Sequence, residues 1–572
     1  MTRFRDSDPR LPAAGKSGPD DGDGARPEAF QGTPRLEEEP LREIGYAWVD
    51  LAVEYLLGLE GRRVYGPVSP AGLDDLFSED LPEDGTGLAE LTQELRTKVF
   101  PNTMAIGSRR YFGMMNPAPL PVAIFAEALT AALNQNVASW RHAPAGTAIE
   151  KRVIRWLCAL FGLPDSSFGT FVPGGSLANL TGLKLAVNRA LGRNIGQVGR
   201  DESPGPEMAR LRFYVSNQAH YSFDKAVDLL GIGRAQLRKL PVDDLFRVDL
   251  DALAAALRQD RADGLQPACI IGIAGTTNTG SVDKLDLLAD LAHEYGCWYH
   301  VDAAYGGAVI LSERYAPMLQ GIERADSITV DPHKWFYIPF AAGGILVREG
   351  DFLRKSFLVH AEYYMEKVLR DAEGESGGPR DLPDPRGFHM GDKVNFFQYG
   401  LQGSRRFTAL KVWLALKATG RRQFAAWIEK DMELARLLAG LLRRQPDFVP
   451  IGPNTLGICT FRWEPRDEQG RPLGDDELVD QFNRDLQGLV EQEGDAWFSY
   501  TVLRGRVVLR ANVENRGMRR KDIERLVRVV RRTADRILAA RPGAQPGAQP
   551  GAQPGAQPGA SAVAPTRKGG TG

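Results

Sequence analysis

Between about residues 146 and 350 the chain alternates short apolar runs with amphipathic stretches, and this alternation limits its fold more than any single motif does. Gly169–Val172, Phe213–Ser216, Cys269–Ala274, Trp298–Asp302, Ser327–Val330 and Gly344–Val347 read as strands, with Leu177–Leu191 and Lys284–Tyr295 as helices between them. Strands that take turns with helices predict an α/β domain with a largely parallel sheet, whose ligands sit at the carboxyl ends of the strands. Residues 40–145 read as mostly helical, for example Ile44–Leu57, where apolar residues recur at helical spacing. After Arg405 a helix over Thr408–Ala418 leads into a smaller α+β segment. The expected division is therefore 40–145, a large domain over 146–404, and a small domain over 405–540. Residues 1–39 are rich in Gly, Pro, Asp and Glu, and residues 541–572 carry a Pro-Gly-Ala-Gln repeat; both read as disordered tails.

Charge and cysteine usage exclude several classes. Lys and Arg number 71 against 73 Asp and Glu, so there is no electrostatic footprint for nucleic acid or an anionic membrane. Cys158, Cys269, Cys297 and Cys459 are far apart and show neither CxxC nor Cys/His ligand spacing, so neither a disulfide framework nor a metal site is expected. No apolar run approaches the roughly 20 residues that span a bilayer, and the N-terminus lacks the apolar stretch of a signal peptide. A cytoplasmic protein is expected. Two phosphate-loop mimics fail: Gly15-Lys16-Ser17 has Arg10 where the first glycine belongs, and Gly231-Ile232-Gly233 lacks the third glycine of a dinucleotide loop.

Four features fall at predicted strand ends. Pro173-Gly174-Gly175-Ser176, between a strand and a helix, can hold a phosphate on helix-start N–H groups and the Ser176 hydroxyl; the same pattern also serves as a plain turn. His220 follows a strand and can stack on or polarise a flat aromatic cofactor, or be merely structural. Asp302 closes an apolar strand, where a buried carboxylate needs a partner such as a protonated pyridine nitrogen; a loop or capping role is the alternative. Lys334, in Asp331-Pro332-His333-Lys334-Trp335, sits at the mouth of the sheet, where burial makes a lysine amine nucleophilic. Their conjunction at successive strand ends is what points to a single cofactor site.

Together with Gly275-Thr276-Thr277 and Asp302-Ala303-Ala304-Tyr305, these residues resemble the group II family of decarboxylases that use pyridoxal 5'-phosphate (PLP), over about residues 40–540. The resemblance implies PLP enzyme fold type I: a mostly parallel seven-stranded sheet, a helical N-terminal segment and a small α+β C-terminal domain. It also implies that Lys334 is the Schiff-base lysine and that Asp302 pairs with the pyridine nitrogen. His220 then stacks over the ring, Ala304 packs beneath it, Gly175, Ser176 and His333 help hold the phosphate, and Thr277 contacts the cofactor. Asp331 departs from the asparagine of several animal members, and an aspartate so near a phosphate would be repulsive. Tyr363 matches the loop tyrosine that protonates the substrate carbon, with Tyr364 adjacent. A homodimer with an amino-acid substrate is implied.

Substrate choice is less constrained. Tyr111–Pro117 aligns with the segment lining the family's substrate pocket, with Met115 and Asn116 where aromatic-acid members carry aromatic residues, and no arginine is clearly aimed at an acidic side chain. Decarboxylation of an aromatic L-amino acid is the expectation. Glutamate or another acidic or small amino acid, aminotransferase chemistry on the same fold, and a PLP-binding pseudoenzyme acting as an interaction protein are the alternatives.

Overall fold

The computed structural model describes residues 37–66, 68–198, 205–358, 393–467 and 469–540. Within them the chain forms two compact units, residues 37–58 with 68–103, and residues 59–66 with 104–540.

The first unit is helical, built from Glu38–Gly58, Pro70–Leu76 and Leu88–Glu94. Ser69 caps the second of these by accepting the Gly72 N–H, with Pro70 at the first helical position, where its missing N–H costs nothing. Arg96 and Glu54 pair at 2.9 Å across the unit.

The second unit holds twelve strands: β1 (Tyr111–Phe112), β2 (Phe168–Val172), β3 (Leu211–Ser216), β4 (Leu237–Leu240), β5 (Gln266–Ile273), β6 (Trp298–Asp302), β7 (Ser327–Val330), β8 (Gly343–Val347), β9 (Phe448–Ile451), β10 (Ile458–Trp463), β11 (Trp497–Leu503) and β12 (Arg506–Asn512). Seven form one sheet in the order β2-β8-β7-β6-β5-β3-β4, and only β8 runs against the others. Helices cover both faces, so β6 and β7 are buried at every residue, and each fully buried Val, Ile or Leu adds roughly 1.5–3 kcal/mol. The helix Gly175–Leu191 packs across β5–β8, and Leu285–Tyr295 packs on β5 and β6, where Tyr299 Oη donates to the Leu285 carbonyl.

All six predicted strands are present, in the α/β arrangement the alternation implied. The seventh, β4, was not read from the sequence because Leu-Arg-Lys-Leu buries only its two ends at a sheet edge, leaving no apolar run. The remaining five strands form a second sheet, β1-β11-β12-β10-β9. In it β1 pairs in parallel with β11, so Tyr111 and Phe112, inside the stretch read as mostly helical, belong to the same sheet as the C-terminal strands. Among the described residues no helix is long and apolar enough to cross a membrane.

Candidate active site

The carboxyl ends of β2, β3, β5, β6 and β7 open into one cavity of about 440 Å3. Its lining includes Gly175 and Ser176 after β2, His220 after β3, Thr277 after β5, Asp302 and Ala304 at the end of β6, and Asp331, His333 and Lys334 after β7. Every described residue that the sequence marked for cofactor contact therefore meets in one place. Tyr363 and Tyr364 lie outside the described residues.

The helix Gly175–Leu191 starts at the cavity from extended Gly174, which has no side chain to cap it. The positive end of this 17-residue helix faces the cavity, with the Gly175 N–H turned to the Asp331 carboxylate. The turn is also tight. A Cβ added at Gly175 would lie 2.9 Å from Asp331 Oδ2 and 3.3 Å from the Ala304 Cβ.

Asp302 is nearly buried, and its two oxygens are held separately. Oδ1 accepts the Ala304 N–H at 3.1 Å and Oδ2 accepts from Asn179 Nδ2 at 3.0 Å. Across the cavity the Ser222 N–H donates to His220 Nδ1 at 3.2 Å, which places the proton of the neutral ring on Nε2. Burial lowers the His220 pKa, against the pull of the Asp302 carboxylate and with help from Lys334, so the ring enters chemistry uncharged.

Lys334 stands on the turn that follows β7, its side chain 22% exposed. The next residue points the other way: Trp335 is fully buried, stacks on Tyr305 at 5.1 Å and donates from Nε1 to Asp431. The tryptophan thus anchors the lysine's turn in the core. His333 accepts the Ala342 N–H on Nδ1 at 3.0 Å, and burial drops its pKa to about 3.

Asp331 lies against this cluster with Oδ2 3.4 Å from Lys334 Nζ and 3.5 Å from His333 Nε2, while its buried Oδ1 has no hydrogen-bond partner. Burial pushes its carboxyl from 3.8 up to about 6, although Lys334 pulls it down. Its folded state therefore holds a proton that the unfolded chain has already lost, so the associated stability is full below about pH 4 and disappears as pH rises through 6. That displacement is worth roughly 3 kcal/mol. Cofactor-free Asp331→Asn is accordingly expected to unfold at higher denaturant than the unsubstituted protein near pH 7.5, with the gap closing toward pH 4. A gap that ignores pH would contradict this account.

The comparisons with known proteins agree with the cavity. The family model described as pyridoxal-dependent decarboxylase conserved domain matches residues 70–376 and 386–464. The chain belongs to this family. An aromatic-L-amino-acid decarboxylase from Bacillus atrophaeus is 34% identical over 477 residues, covering 83% of this chain and 92% of the relative. An aspartate 1-decarboxylase from Aliivibrio fischeri is 33% identical over 411 residues, covering 68% and 70%. The crystal structure of Oryza sativa TDC with PLP and tryptamine superimposes with a TM-score of 0.78 at 26% identity, covering 89% of this chain and 99% of that one. This decarboxylase is a fold type I enzyme that uses PLP to remove the carboxylate of an amino acid. The residues present suit that cofactor: a helix start at the cavity for its phosphate, a doubly held carboxylate for its ring nitrogen and a partly exposed amine for its carbonyl.

Sequence reading passed over several residues that shape this decarboxylase's site. Asn179, three residues past the Pro173–Ser176 turn, and His300, Ser327 and Thr329 belong to no motif of their own. Their signal was parity: polar residues at alternate positions in otherwise apolar strands, His300 and Asp302 on β6 beside Ser327 and Thr329 on β7. Phe340, Leu177 and Ile273, which also line the cavity, carry no such signal.

Proposed function

We propose that the enzyme decarboxylates aromatic L-amino acids to the corresponding amines. The observation that carries this reading is the chemistry of the cavity wall. Met115, Leu177, Ile273 and Phe340 offer apolar surface, and among the described lining residues Lys334 is the only lysine or arginine. An acidic side chain would lose its hydration there without gaining a dedicated cation. Methionine and phenylalanine suit a flat ring. The B. atrophaeus relative, named for aromatic amino acids, agrees with this choice; the A. fischeri relative, named for aspartate, is the competing case.

Bound in the cavity, PLP supplies the electron sink that makes loss of the Cα carboxylate feasible. In the proposed division of labour Lys334 Nζ would hold the cofactor covalently and give way to the substrate amine. Asp302 would keep a proton on the ring nitrogen, and neutral His220 and Ala304 would contact the ring. Gly175, Ser176 and His333 would receive the phosphate, and Thr277 would contact the cofactor. On the family resemblance alone, Tyr363 is the proposed proton donor to Cα. A large domain over 146–404, a small domain over 405–540, a cytoplasmic location and a homodimer belong to the same proposal. Exposed Tyr46, Trp48, Val53 and Leu57 on the first helix favour a second copy as partner.

The substrate reading is tested by kcat/KM for tryptophan, tyrosine and phenylalanine against glutamate and aspartate. Placing an unpaired side-chain carboxylate in an apolar wall costs several kcal/mol, so the best aromatic substrate is expected to win by roughly a hundredfold or more. A preference for glutamate or aspartate would overturn the assignment.

A further inference from the structure

We infer that His300 is a positioning residue for decarboxylation, acting on Asp302 through the side-chain amide of Asn179. The inference rests on the proposed pairing of Asp302 with the cofactor's ring nitrogen. It adds a directional chain of hydrogen bonds that no residue of the proposed mechanism requires.

The direction of each bond in the chain follows from its neighbours. Trp298 Nε1 is a pure donor and gives its proton to Ser327 Oγ at 2.8 Å. The Ser327 hydroxyl proton is then free for His300 Nδ1, also at 2.8 Å. Burial lowers the His300 pKa to about 4, so the ring is neutral and carries its one proton on Nε2. That proton goes to Asn179 Oδ1 at 3.1 Å, and Thr329 Oγ1 donates to the same oxygen at 2.7 Å. With two donors on its oxygen, the Asn179 amide has one orientation, which turns Nδ2 toward Asp302 Oδ2 and Ser222 Oγ, each at 3.0 Å. A flipped amide would set an oxygen against the carboxylate and leave His300 and Thr329 facing an NH2 group.

The fold is built around this ring. His300 and Asp302 share one face of β6, and the register sets Ser327 beside His300 and Thr329 beside Asp302 on β7. The covering helix makes room at Gly182, where a Cβ would lie 2.6 Å from His300 Nδ1 and 2.7 Å from Cε1. All four groups, His300, Ser327, Thr329 and Asn179, are essentially excluded from water. A correctly turned Asn179 therefore presents a donor, not an acceptor, to Asp302 Oδ2 and holds that carboxylate in place at the cavity wall, where the proposed ring nitrogen would meet it.

The test compares holoenzymes of His300→Leu, His300→Gln, Thr329→Val and Asp302→Asn for kcat, KM, bound cofactor and melting temperature. His300→Leu is expected to lower kcat roughly ten- to a hundredfold, the usual cost of removing a partner that orients a working ligand, with KM within about twofold. His300→Gln, which can still donate to Asn179 Oδ1, is expected to recover most of that loss. Thr329→Val, nearly isosteric, is expected to lower kcat in the same direction but less. If His300→Leu does not fold, Thr329→Val decides alone. Folded, cofactor-loaded His300→Leu or Thr329→Val turning over at the unsubstituted rate would overturn the inference, as would a glutamine variant no better than leucine. Asp302→Asn at the unsubstituted kcat would remove the site reading itself; a slow Asp302→Asn beside a normal His300→Leu would remove the relay alone.

Discussion

Lys334→Ala is expected to fold, to lose covalently retained cofactor on gel filtration, and to decarboxylate at least about a thousandfold more slowly. Folding survives because the lysine side chain is partly exposed, and its turn is anchored by the buried Trp335 and by the Tyr337 N–H on the Lys334 carbonyl. Chemistry does not survive, because among the described residues none of the other groups lining the cavity is a primary amine. With the proposed contacts from Asp302, His220 and the helix start still in place, weakened rather than abolished cofactor binding is expected. Lys334→Arg restores the charge beside Asp331 without restoring activity, since a guanidinium stays protonated and is no nucleophile. Either variant retaining a tenth of the kcat would contradict the role of Lys334.

The second large effect is on stability. Arg405 is buried and pairs in a fork with Glu150, which is fully excluded from water. The same guanidinium donates to Thr170 Oγ1 at 2.8 Å and to the carbonyls of Phe171 and Val137 at 2.9 Å, while Glu150 accepts the Phe171 N–H at 3.1 Å. The pair therefore ties the helix Pro144–Leu160 and residue 405 to the end of β2, immediately before the Pro173–Ser176 turn. Arg405→Met leaves the Glu150 charge buried and alone, and a loss of about 3–5 kcal/mol is expected by denaturant unfolding. Pairing it with Glu150→Gln is expected to return part of that loss, because the isolated charge is then gone. A single variant within 1 kcal/mol of the unsubstituted protein would show the pair to be dispensable.

These two sites mark what the sequence makes legible. The β6 run Trp298–Asp302 and the β7 run Ser327–Val330 are short, apolar and flanked by helices, so local pattern alone defines them; Asp302 ends the first at the cavity, and Asp331, His333 and Lys334 reach it just after the second. Lys334, Asp302, His220 and the Gly174–Ser176 turn could be found because each closes or closely follows such a run. Arg405 and Glu150 could not, because they lie 255 positions apart in the chain and neither stands in a recognisable pattern. β4 escaped for a local reason, since an edge strand with Arg238 and Lys239 in its middle buries too little to show a period. His300 was hidden differently. Its spacing from Asp302 was in plain view, but its role depends on the register of β6 with β7, which sequence does not carry. The apolar wall that bears on substrate choice is likewise a product of packing, with Met115, Leu177, Ile273 and Phe340 converging from separate segments.

The proposed active site turns on one bond, and one measurement reads it. Holoenzyme reduced with borohydride, digested and analysed by mass spectrometry should carry the phosphopyridoxyl group on the peptide containing Lys334 and on no other lysine. A stoichiometric adduct elsewhere, with Lys334 unmodified, would contradict the placement of this active site.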